Sequence, residues 1–515
     1  MSLIQSIVVI QLFLKAKRLL LRILFFAIPF FSNIKSANAY FEFDSRLETA
    51  YVDILSLRFK EAQILIDLEK KEKPGNDLSL LYENYIDFLK SFLTEEKTQF
   101  EKFKKDAAIR IDRISKKDIS GLSPFYLYSL AEIYIQQALV RIKFEEHLAA
   151  ATEIRKAFKL IERNTKLYPS FVLNQKVSGF LHAIVGAVPS KYNWIVNIAG
   201  MEGNVSEGIA ELQKAYVQTG ASPYKSYQTE ILFYLGTTQS VFAPSTDAIP
   251  LIQTMKTTAS TSPLIAYVYS NIMMKKGQNE ESLWALDAAI AKKDAYPFTF
   301  LYYKRGLCKL RKMDLNSDSD FNYFNNNYNG INNIKSAWQK LAWNNLLKGD
   351  TAAYKRNLKS CLQSGSALLD EDRDAQLEAN SGEVINVYLL RSRLYFDGGY
   401  YQKALSELTT KDISNFHRFK DQLEITYRIG RIMQMNGNID KAIRNYEITI
   451  KNGSSSPWHF AANSSLMLGT IYENKKEYDK ALKYYQLCLT MDFDQYKNSI
   501  EQKAKAGVER VSKMK

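Results

Sequence analysis

The chain has 515 residues, a formal net charge of +14 and three cysteines. Cys308, Cys361 and Cys488 are odd in number and far apart, which excludes a disulfide framework and a paired-cysteine zinc knuckle. A single bridge between Cys308 and Cys361 stays open if the compartment is oxidising.

The first 39 residues are typical of a secretory signal peptide. Basic residues open the chain, an apolar run follows at 19–31, and Ala37 and Ala39 are placed for signal-peptidase cleavage. The run contains Arg22 and is shorter than the roughly 20 residues of a membrane span, so an uncleaved membrane anchor is the alternative. We expect an exported protein of the periplasm or outer envelope. Its basic balance favours anionic lipid or an acidic partner over nucleic acid.

After residue 40, apolar residues recur every three or four positions and no segment alternates with a period of two, which predicts an all-α protein. A chain of this length forms either large bundles or a stacked array, and internal repetition distinguishes the two. The segment at 50–76 predicts a helix, a turn and a second helix with Ala62, ended by Pro74 and Gly75. It is the first of a series of predicted helix hairpins.

A basic helical face is predicted in the segment at 104–117, where three basic residues lie near three isoleucines. One interpretation is a patch that contacts a membrane surface or an acidic partner. Two aspartates in the same segment dilute the charge, and an ordinary solvated face is the preferred interpretation.

The stretch "AVPSKYNWIVNIAGMEGNVSEGIAELQKA", at 187–215, raises the question of a nucleotide site. It contains three closely spaced glycines, Gly200, Gly203 and Gly208. No strand pattern precedes them, and neither a GxGxxG motif nor a Lys-Ser/Thr pair is present, so the dinucleotide and P-loop fingerprints are not met. We interpret the glycines as a tight turn with close helix packing, with Ser206 as an N-cap and with Trp194 and Ile195 in a core.

Weaker copies of the hairpin pattern occur at 267–290 and 340–358. Between them, the Asn- and Asp-rich segment at 311–335 predicts a flexible connection. Its alternating acids lack the glycine and the final glutamate of a calcium loop. These features divide the chain into a signal peptide, an N-terminal helical repeat region, the connection and a C-terminal array, at 1–39, 40–310, 311–335 and 336–515.

The repetition is plainest near the C-terminus. In "SLMLGTIYENKKEYDKALKYYQLCL", at 465–489, small and aromatic residues recur in a fixed frame, namely Gly469, Tyr472, Tyr478, Ala481 and Tyr485. The frame returns at 427–450 and at 394–408. It resembles the tetratricopeptide repeat (TPR), which implies an α-solenoid of stacked antiparallel helix hairpins.

The glycine stretch carries a further resemblance, to the Iml2/tetratricopeptide repeat protein 39 family. The matching positions are Gly186, Pro189, Gly200, Gly203, Gly208 and Leu212, whereas Met201 and Asn204 depart from the family pattern. The segments "LYYKRGLCKL" and "IKSAWQKLAWNNLLKGD" are similar to the second half of the family. The resemblance implies a helical repeat scaffold, in a family with members associated with membranes and lipid-linked processes.

Candidate catalytic chemistry is sparse. The four histidines show no HExxH or HxH spacing, and no GxSxG elbow or Cys/His signature is present. His182 lies on an apolar helix and is interpreted as a core histidine. We therefore expect no catalytic residues, no metal and no cofactor.

One binding surface can be located from the repeat frame. In TPR solenoids the first helix of each pair lines the concave groove, and the ninth position of that helix is Arg393, Arg431 and Thr470 in successive units. The fifth position adds Tyr427 and the twelfth adds Glu473. The arginines and the tyrosine are suited to hold a carboxylate or an extended acidic peptide.

The sequence thus predicts a non-catalytic, exported scaffold that binds a protein or peptide on its concave surface. Two alternatives stay open: a peripheral membrane or lipid-associated repeat protein, and an enzyme whose site is assembled from dispersed residues. The sequence does not indicate the partner, the pathway or the oligomeric state.

Overall fold

The computed structural model describes residues 40–116, 118–188, 201–241 and 250–514. Within these ranges the chain forms 24 α-helices and no strand. The first twelve are α1 (Ser45–Leu55), α2 (Phe59–Glu72), α3 (Leu78–Thr94), α4 (Lys97–Ser115), α5 (Pro124–Lys143), α6 (His147–Leu167), α7 (Leu173–Gly186), α8 (Val205–Gly220), α9 (Gln228–Val241), α10 (Ile252–Ala259), α11 (Pro263–Lys275) and α12 (Asn279–Ile290). The rest are α13 (Phe300–Arg311), α14 (Ser317–Asn327), α15 (Ile334–Leu347), α16 (Thr351–Gln363), α17 (Asp370–Ser381), α18 (Val387–Asp397), α19 (Tyr401–Thr409), α20 (Phe419–Met435), α21 (Ile439–Gly453), α22 (Phe460–Asn474), α23 (Tyr478–Thr490) and α24 (Lys497–Ser512). Short 3₁₀ turns lie at Lys225–Tyr227 and Ile413–Phe416. The predicted signal peptide lies outside the described residues.

The turns between paired helices share one backbone feature. A residue with positive φ follows the first helix in nine hairpins: Leu57, Glu95, Glu145, Gly277, Met313, Gly349, Gly399, Gly437 and Lys476. A left-handed residue just after a helix satisfies its last carbonyl groups and reverses the chain. The second helix begins within a few residues, so the two helices pack antiparallel. The hairpins stack along the chain, and the predicted all-α solenoid is confirmed.

Glycines on first helices lie against aromatic rings of second helices. A Cβ added at Gly469 would lie 2.5 Å from Tyr485, and one added at Gly430 would lie 2.7 Å from Tyr446. Both tyrosines are fully buried. The small and aromatic positions of the repeat frame therefore pack as the sequence predicts.

The glycine stretch brings α7 and α8 close together. A Cβ at Gly208 would lie 2.4 Å from the carbonyl oxygen of Gly179, and a Cβ at Gly203 would lie 2.5 Å from that of His182. Because these neighbours are backbone atoms, they cannot rotate away. The part of the stretch that the structure describes serves close helix packing, as predicted.

The cap of α8 differs from the prediction. Asn204, not Ser206, is the N-cap, and its side-chain oxygen accepts hydrogen bonds from the amides of Ser206 at 2.8 Å and Glu207 at 3.2 Å. Ser206 is already the second residue of the helix, so its prediction as the cap is wrong. Trp194, Ile195 and Gly200 lie outside the described residues, so their predicted places in the core and the turn stay predictions.

The Asn- and Asp-rich segment at 311–335 contains helix α14. Its Phe321 and Phe324 are fully buried, and Arg305 of α13 donates a 3.0 Å hydrogen bond to Asp320. The segment contributes a packed helix where the sequence predicts a flexible connection, because its few aromatic residues share one face of the helix. The division of the chain into an N-terminal region and a C-terminal array stays a prediction.

The solenoid winds tightly enough for distant turns to touch. The amide of Tyr296 donates a 2.7 Å hydrogen bond to the carbonyl oxygen of Leu57. The α11–α12 turn meets the α18–α19 turn so closely that a Cβ on Gly399 would lie 1.9 Å from the carbonyl oxygen of Gly277. Asn279 donates a 3.1 Å hydrogen bond to the hydroxyl of Tyr400 beside this contact. Hairpins that are not neighbours in the sequence therefore contact each other directly through their turns.

The three cysteines are free and buried. Burial raises the pKa of Cys361 to about 11 and that of Cys488 to about 12, and it also raises the pKa of Cys308. No helix within the described ranges is long and apolar enough to cross a bilayer. No group of metal-binding side chains is assembled there either.

Candidate functional site

A cavity of about 440 Å³ lies on the concave side of the C-terminal hairpins, and we call it the C-terminal groove. Its walls are formed by α17, α18, α20, α22 and α24. The polar side chains that matter below are Asp374, Arg393, Asp397, Glu424, Tyr427, Arg428, Arg431, His459, Asn463, Tyr496 and Lys503. A volume of this size accommodates several side chains of a bound segment or a small ligand.

The structure brings together three of the five residues predicted from the repeat frame. Arg393 on α18 and Tyr427 and Arg431 on α20 line the groove. Thr470 and Glu473 on α22 lie outside its lining and contact α23 and α24 instead. The Tyr485 hydroxyl donates to Glu473 at 2.5 Å and lies 3.3 Å from the hydroxyl oxygen of Thr470.

Glu473 also accepts two hydrogen bonds from Arg510 of α24, at 2.8 and 2.9 Å. The carboxylate of Glu473 is therefore already paired inside the last repeat. Thr470 and Glu473 follow the same helical register as the arginines, but α24 packs where a further repeat would begin and covers them.

Arg431 is held by a neutral partner. Its Nη1 donates a 2.9 Å hydrogen bond to the Tyr427 hydroxyl, which also accepts a 2.7 Å bond from Asn463 of α22. The guanidinium lies 5.0 Å from the ring centre of Phe396. The contacts with Tyr427 and Phe396 thus fix the orientation of the Arg431 guanidinium without neutralising its charge.

Arg393 is held in the same way. Its Nη2 donates a 2.9 Å hydrogen bond to the hydroxyl of Tyr496, and its guanidinium lies 4.9 Å from the ring centre of Trp343. Among the ion pairs of the described residues, none involves Arg393, Arg431 or Lys503 within 4.0 Å. The groove therefore holds three cations that form no ion pair with a carboxylate of the described residues.

The positive charge of the groove contributes to lowering the pKa of the basic side chains beside it. Burial, together with the charge of Arg393, lowers the pKa of Lys340 to about 8. Partial burial of the Lys503 ammonium lowers its pKa, with Arg431 adding repulsion. Burial lowers the pKa of His459 to about 3, and Arg393 acts in the same direction against the opposing charge of Glu424. His459 is therefore neutral at physiological pH.

The acidic side chains of the groove are mostly engaged elsewhere. Glu424 pairs with Arg428 within α20, and Asp421 accepts from Arg418 at 2.9 Å. Burial raises the pKa of Asp374 to about 6. Asp397, Glu378 and Glu383 also line the wall; Glu378 accepts hydrogen bonds from the neutral side chains of Gln339, Trp343 and Tyr354, and Glu383 lies 3.6 Å from Arg418. Arg393 and Arg431 have no carboxylate within 4.0 Å among the described residues, and this suits an anionic group of a ligand at these two side chains.

Sequence reasoning missed the groove residues that come from later helices. Asn463 is the second residue of the unit in which Thr470 is the ninth, so the repeat frame held a signal for it. His459, Tyr496 and Lys503 carry no such signal, because they reach the groove from outside the first helices or from α24.

A second polar cluster lies in the N-terminal region and is closed to ligands. Lys176 of α7 pairs with Glu132 of α5 at 2.9 Å and with Glu230 of α9, and the three side chains are at most 4% exposed. The Tyr85 hydroxyl bonds both carboxylates, at 3.0 and 2.9 Å. The space beside Tyr85 and Glu230 is only about 20 Å³. The cluster is part of the core.

His182 occupies the surface side of α7. Its Nδ1 lies 2.8 Å from Glu211 of α8, and that carboxylate raises the pKa of the imidazole. The side chain is 28% exposed, so it links two helices at the edge of the core rather than inside it.

The left-handed turns, the stacked hairpins and the glycine–aromatic pairs define a TPR-like α-solenoid with a concave groove. No family model and no curated protein matches the sequence. Among solved structures, the chain is similar to the TPR domain of P58(IPK), with 14% sequence identity, covering 81% of this chain and 93% of that domain, at a TM-score of 0.23. The assignment to this class rests on the helices and turns described above. The resemblance to the Iml2/tetratricopeptide repeat protein 39 family is not confirmed by these comparisons.

Proposed function

We propose that this protein is a non-catalytic repeat scaffold whose C-terminal groove binds a carboxylate-rich segment of a partner protein. The observation that carries the proposal is the pair Arg393 and Arg431, which project from successive hairpins into one cavity and have no carboxylate of the described part of the chain within 4.0 Å. Half-buried cations are costly unless they are paired. A partner carboxylate would supply the missing charge.

The geometry of the guanidinium group favours this ligand class. Each planar group presents several N–H donors, and a carboxylate accepts two of them in parallel. One N–H donor of Arg393 is bonded to Tyr496, and one N–H donor of Arg431 is bonded to Tyr427. Both guanidinium groups therefore keep further donors for a ligand. Because the arginines stand on neighbouring hairpins, an extended segment with acidic side chains can contact both.

A direct binding measurement tests the proposal. Fluorescence anisotropy would follow fluorescein-labelled hexaglutamate, with hexaglutamine as the uncharged probe, on the protein without residues 1–39. We expect hexaglutamate to bind and hexaglutamine not to bind. The affinity for hexaglutamate should fall as the salt concentration is raised from about 50 to about 200 mM.

Matched variants locate the site. Replacement of Arg393 or Arg431 by Gln should weaken hexaglutamate binding at least about tenfold, since each removes a charge-assisted hydrogen bond. Arg444→Gln, on the exposed face of α21, is the control and should change nothing. Equal binding by the wild type and by both groove variants would contradict the proposal. Crosslinking pull-down from the native host, with Arg393 and Arg431 replaced by Glu, would then identify the natural partner or show that no partner depends on the groove.

A further inference from the structure

The segment that begins the last helix enters the C-terminal groove. Tyr496 is the N-cap residue of α24, and its hydroxyl accepts the 2.9 Å hydrogen bond from Arg393, which lies 103 positions earlier in the chain. Burial raises the pKa of Tyr496, and the nearby carboxylate of Asp374 on α17 acts in the same direction. Tyr496 therefore reaches from α24 to Arg393 on α18.

A second residue of this segment contacts the groove. Gln495 lies 3.2 Å from Nδ1 of His459 through its side-chain oxygen, and the ring of Tyr496 stands edge-on to the imidazole at 5.0 Å. Tyr496 has a φ of +59°, in the left-handed region that side chains other than glycine seldom occupy. This backbone conformation directs the side chain into the cavity.

We propose that Tyr496 is an intramolecular latch that occupies Arg393 until a partner carboxylate displaces it. This inference rests on the proposed function of the groove. A phenol hydroxyl is a neutral acceptor of one hydrogen bond, whereas a carboxylate brings a full negative charge and can accept two parallel N–H bonds from one guanidinium group. A carboxylate thus competes successfully for the same guanidinium, whereas an uncharged side chain does not. The latch makes the groove selective for acidic segments.

Opening does not require α24 to unfold. The helix is anchored to α22 and α23 by its own buried side chains, including Ile500, Ala504 and Val511, and Phe493 is buried just before the segment. Only the side chain of Tyr496 has to rotate. Asp492, with a side chain 94% exposed, shows that the segment faces solvent on its other side.

The test compares Tyr496→Phe and Tyr496→Ala with the wild type in the hexaglutamate assay. Tyr496→Phe keeps the ring and removes the hydroxyl, so Arg393 gains a free donor. We expect binding about fivefold tighter, the fold-change that corresponds to one ordinary hydrogen bond. Tyr484→Phe is the matched control. This tyrosine lies on α23, its hydroxyl donates to Glu447 of α21, and it does not line the groove.

A double-mutant cycle shows whether Tyr496 acts through Arg393. In the Arg393→Gln background the gain from Tyr496→Phe should disappear, since no guanidinium is left to release. Circular dichroism of each variant confirms that the helices are retained. If Tyr496→Ala binds hexaglutamate and the wild type does not, the result would also support the latch. It would mean that Tyr496 closes the groove almost completely in the wild type.

The opposing outcomes separate this inference from the function on which it rests. Equal or weaker binding by Tyr496→Phe and Tyr496→Ala would overturn the latch, while the groove would still stand if wild-type binding depended on Arg393 and Arg431. Failure of the wild type and of both Tyr496 variants to bind hexaglutamate would overturn the latch and the proposed function together.

Discussion

Replacement of Lys176 by Met tests the buried cluster of the N-terminal region. Lys176 is fully buried and compensates two carboxylates, Glu132 at 2.9 Å and Glu230, which are themselves 0% and 4% exposed. Methionine fills a similar volume but carries no charge. The variant leaves two carboxylates side by side in the core, joined only through tyrosine hydroxyls such as that of Tyr85.

The size of the effect follows from the burial. Removing one partner of a fully buried ion pair typically costs about 3–5 kcal/mol, because the remaining charge stays out of water without compensation. Two carboxylates remain here, so we expect a loss near the upper end of that range at neutral pH. Already in the wild type, burial raises the pKa of Glu132, with Glu230 adding to the rise and Lys176 opposing it.

The loss should depend on pH in a defined direction. Without Lys176 the pKa of Glu132 stays above the value of about 4.3 in the unfolded chain, so the folded variant binds a proton that the unfolded chain does not. Its stability is therefore highest at low pH and falls as the pH rises through the folded pKa. The deficit relative to the wild type should be smaller at about pH 5 than at about pH 8.

Urea unfolding followed by circular dichroism at both pH values measures this deficit. Lys159→Met, on the exposed face of α6, is the control and should change the free energy of unfolding by less than about 0.5 kcal/mol. A Lys176→Met deficit below about 1 kcal/mol, or one that does not change with pH, would refute the reasoning, since neither fits two uncompensated buried carboxylates.

Three further outcomes are expected. Gly208→Ala should lower the free energy of unfolding by about 2 kcal/mol, because its Cβ would lie 2.4 Å from a backbone oxygen. Gly453→Ala should be near neutral in urea unfolding, because its Cβ would meet rotatable methyl groups of Leu423 at 3.1 Å and the Cβ of Ala461 at an ordinary contact distance of 3.5 Å. With the pKa of His459 lowered to about 3, the wild type should lose stability as the pH falls below about 6.5, and His459→Gln should flatten that loss in melts between about pH 7 and about pH 5. The three thiols should resist a disulfide reagent at about pH 8 in the native protein and react after unfolding, and rapid native labelling would show that they are accessible.

The repeat frame predicted the parts of the fold that depend on short-range spacing. Gly469 and Tyr485 belong to one hairpin, so their contact follows from the local sequence. The same frame placed Arg393, Tyr427 and Arg431 on the concave wall, because the helical register fixes which face of a first helix is concave.

The repeat frame could not predict contacts between residues that are distant in the sequence. The register gives the face of a residue but not the element that covers it, and for this reason Glu473 is paired with Arg510 rather than exposed in the groove. Tyr496 reaches Arg393 only because the superhelix curves back. The burial of Lys176 also has no local signal, since a lysine on a helix is usually solvated and its partners come from two other helices.

The contact between Gly277 and Gly399 bears on the elasticity of the molecule. Solenoids whose repeats touch only their immediate neighbours behave as springs, and their concave surface opens or narrows as the coil is stretched. Here the α11–α12 turn is seated against the α18–α19 turn, with no room for even a Cβ at Gly399. This contact holds α18 and α19 against α11 and α12. Under the function proposed above, Arg393 and Arg431 would stand at a preset spacing, and that spacing would select a partner by the distance between its acidic residues.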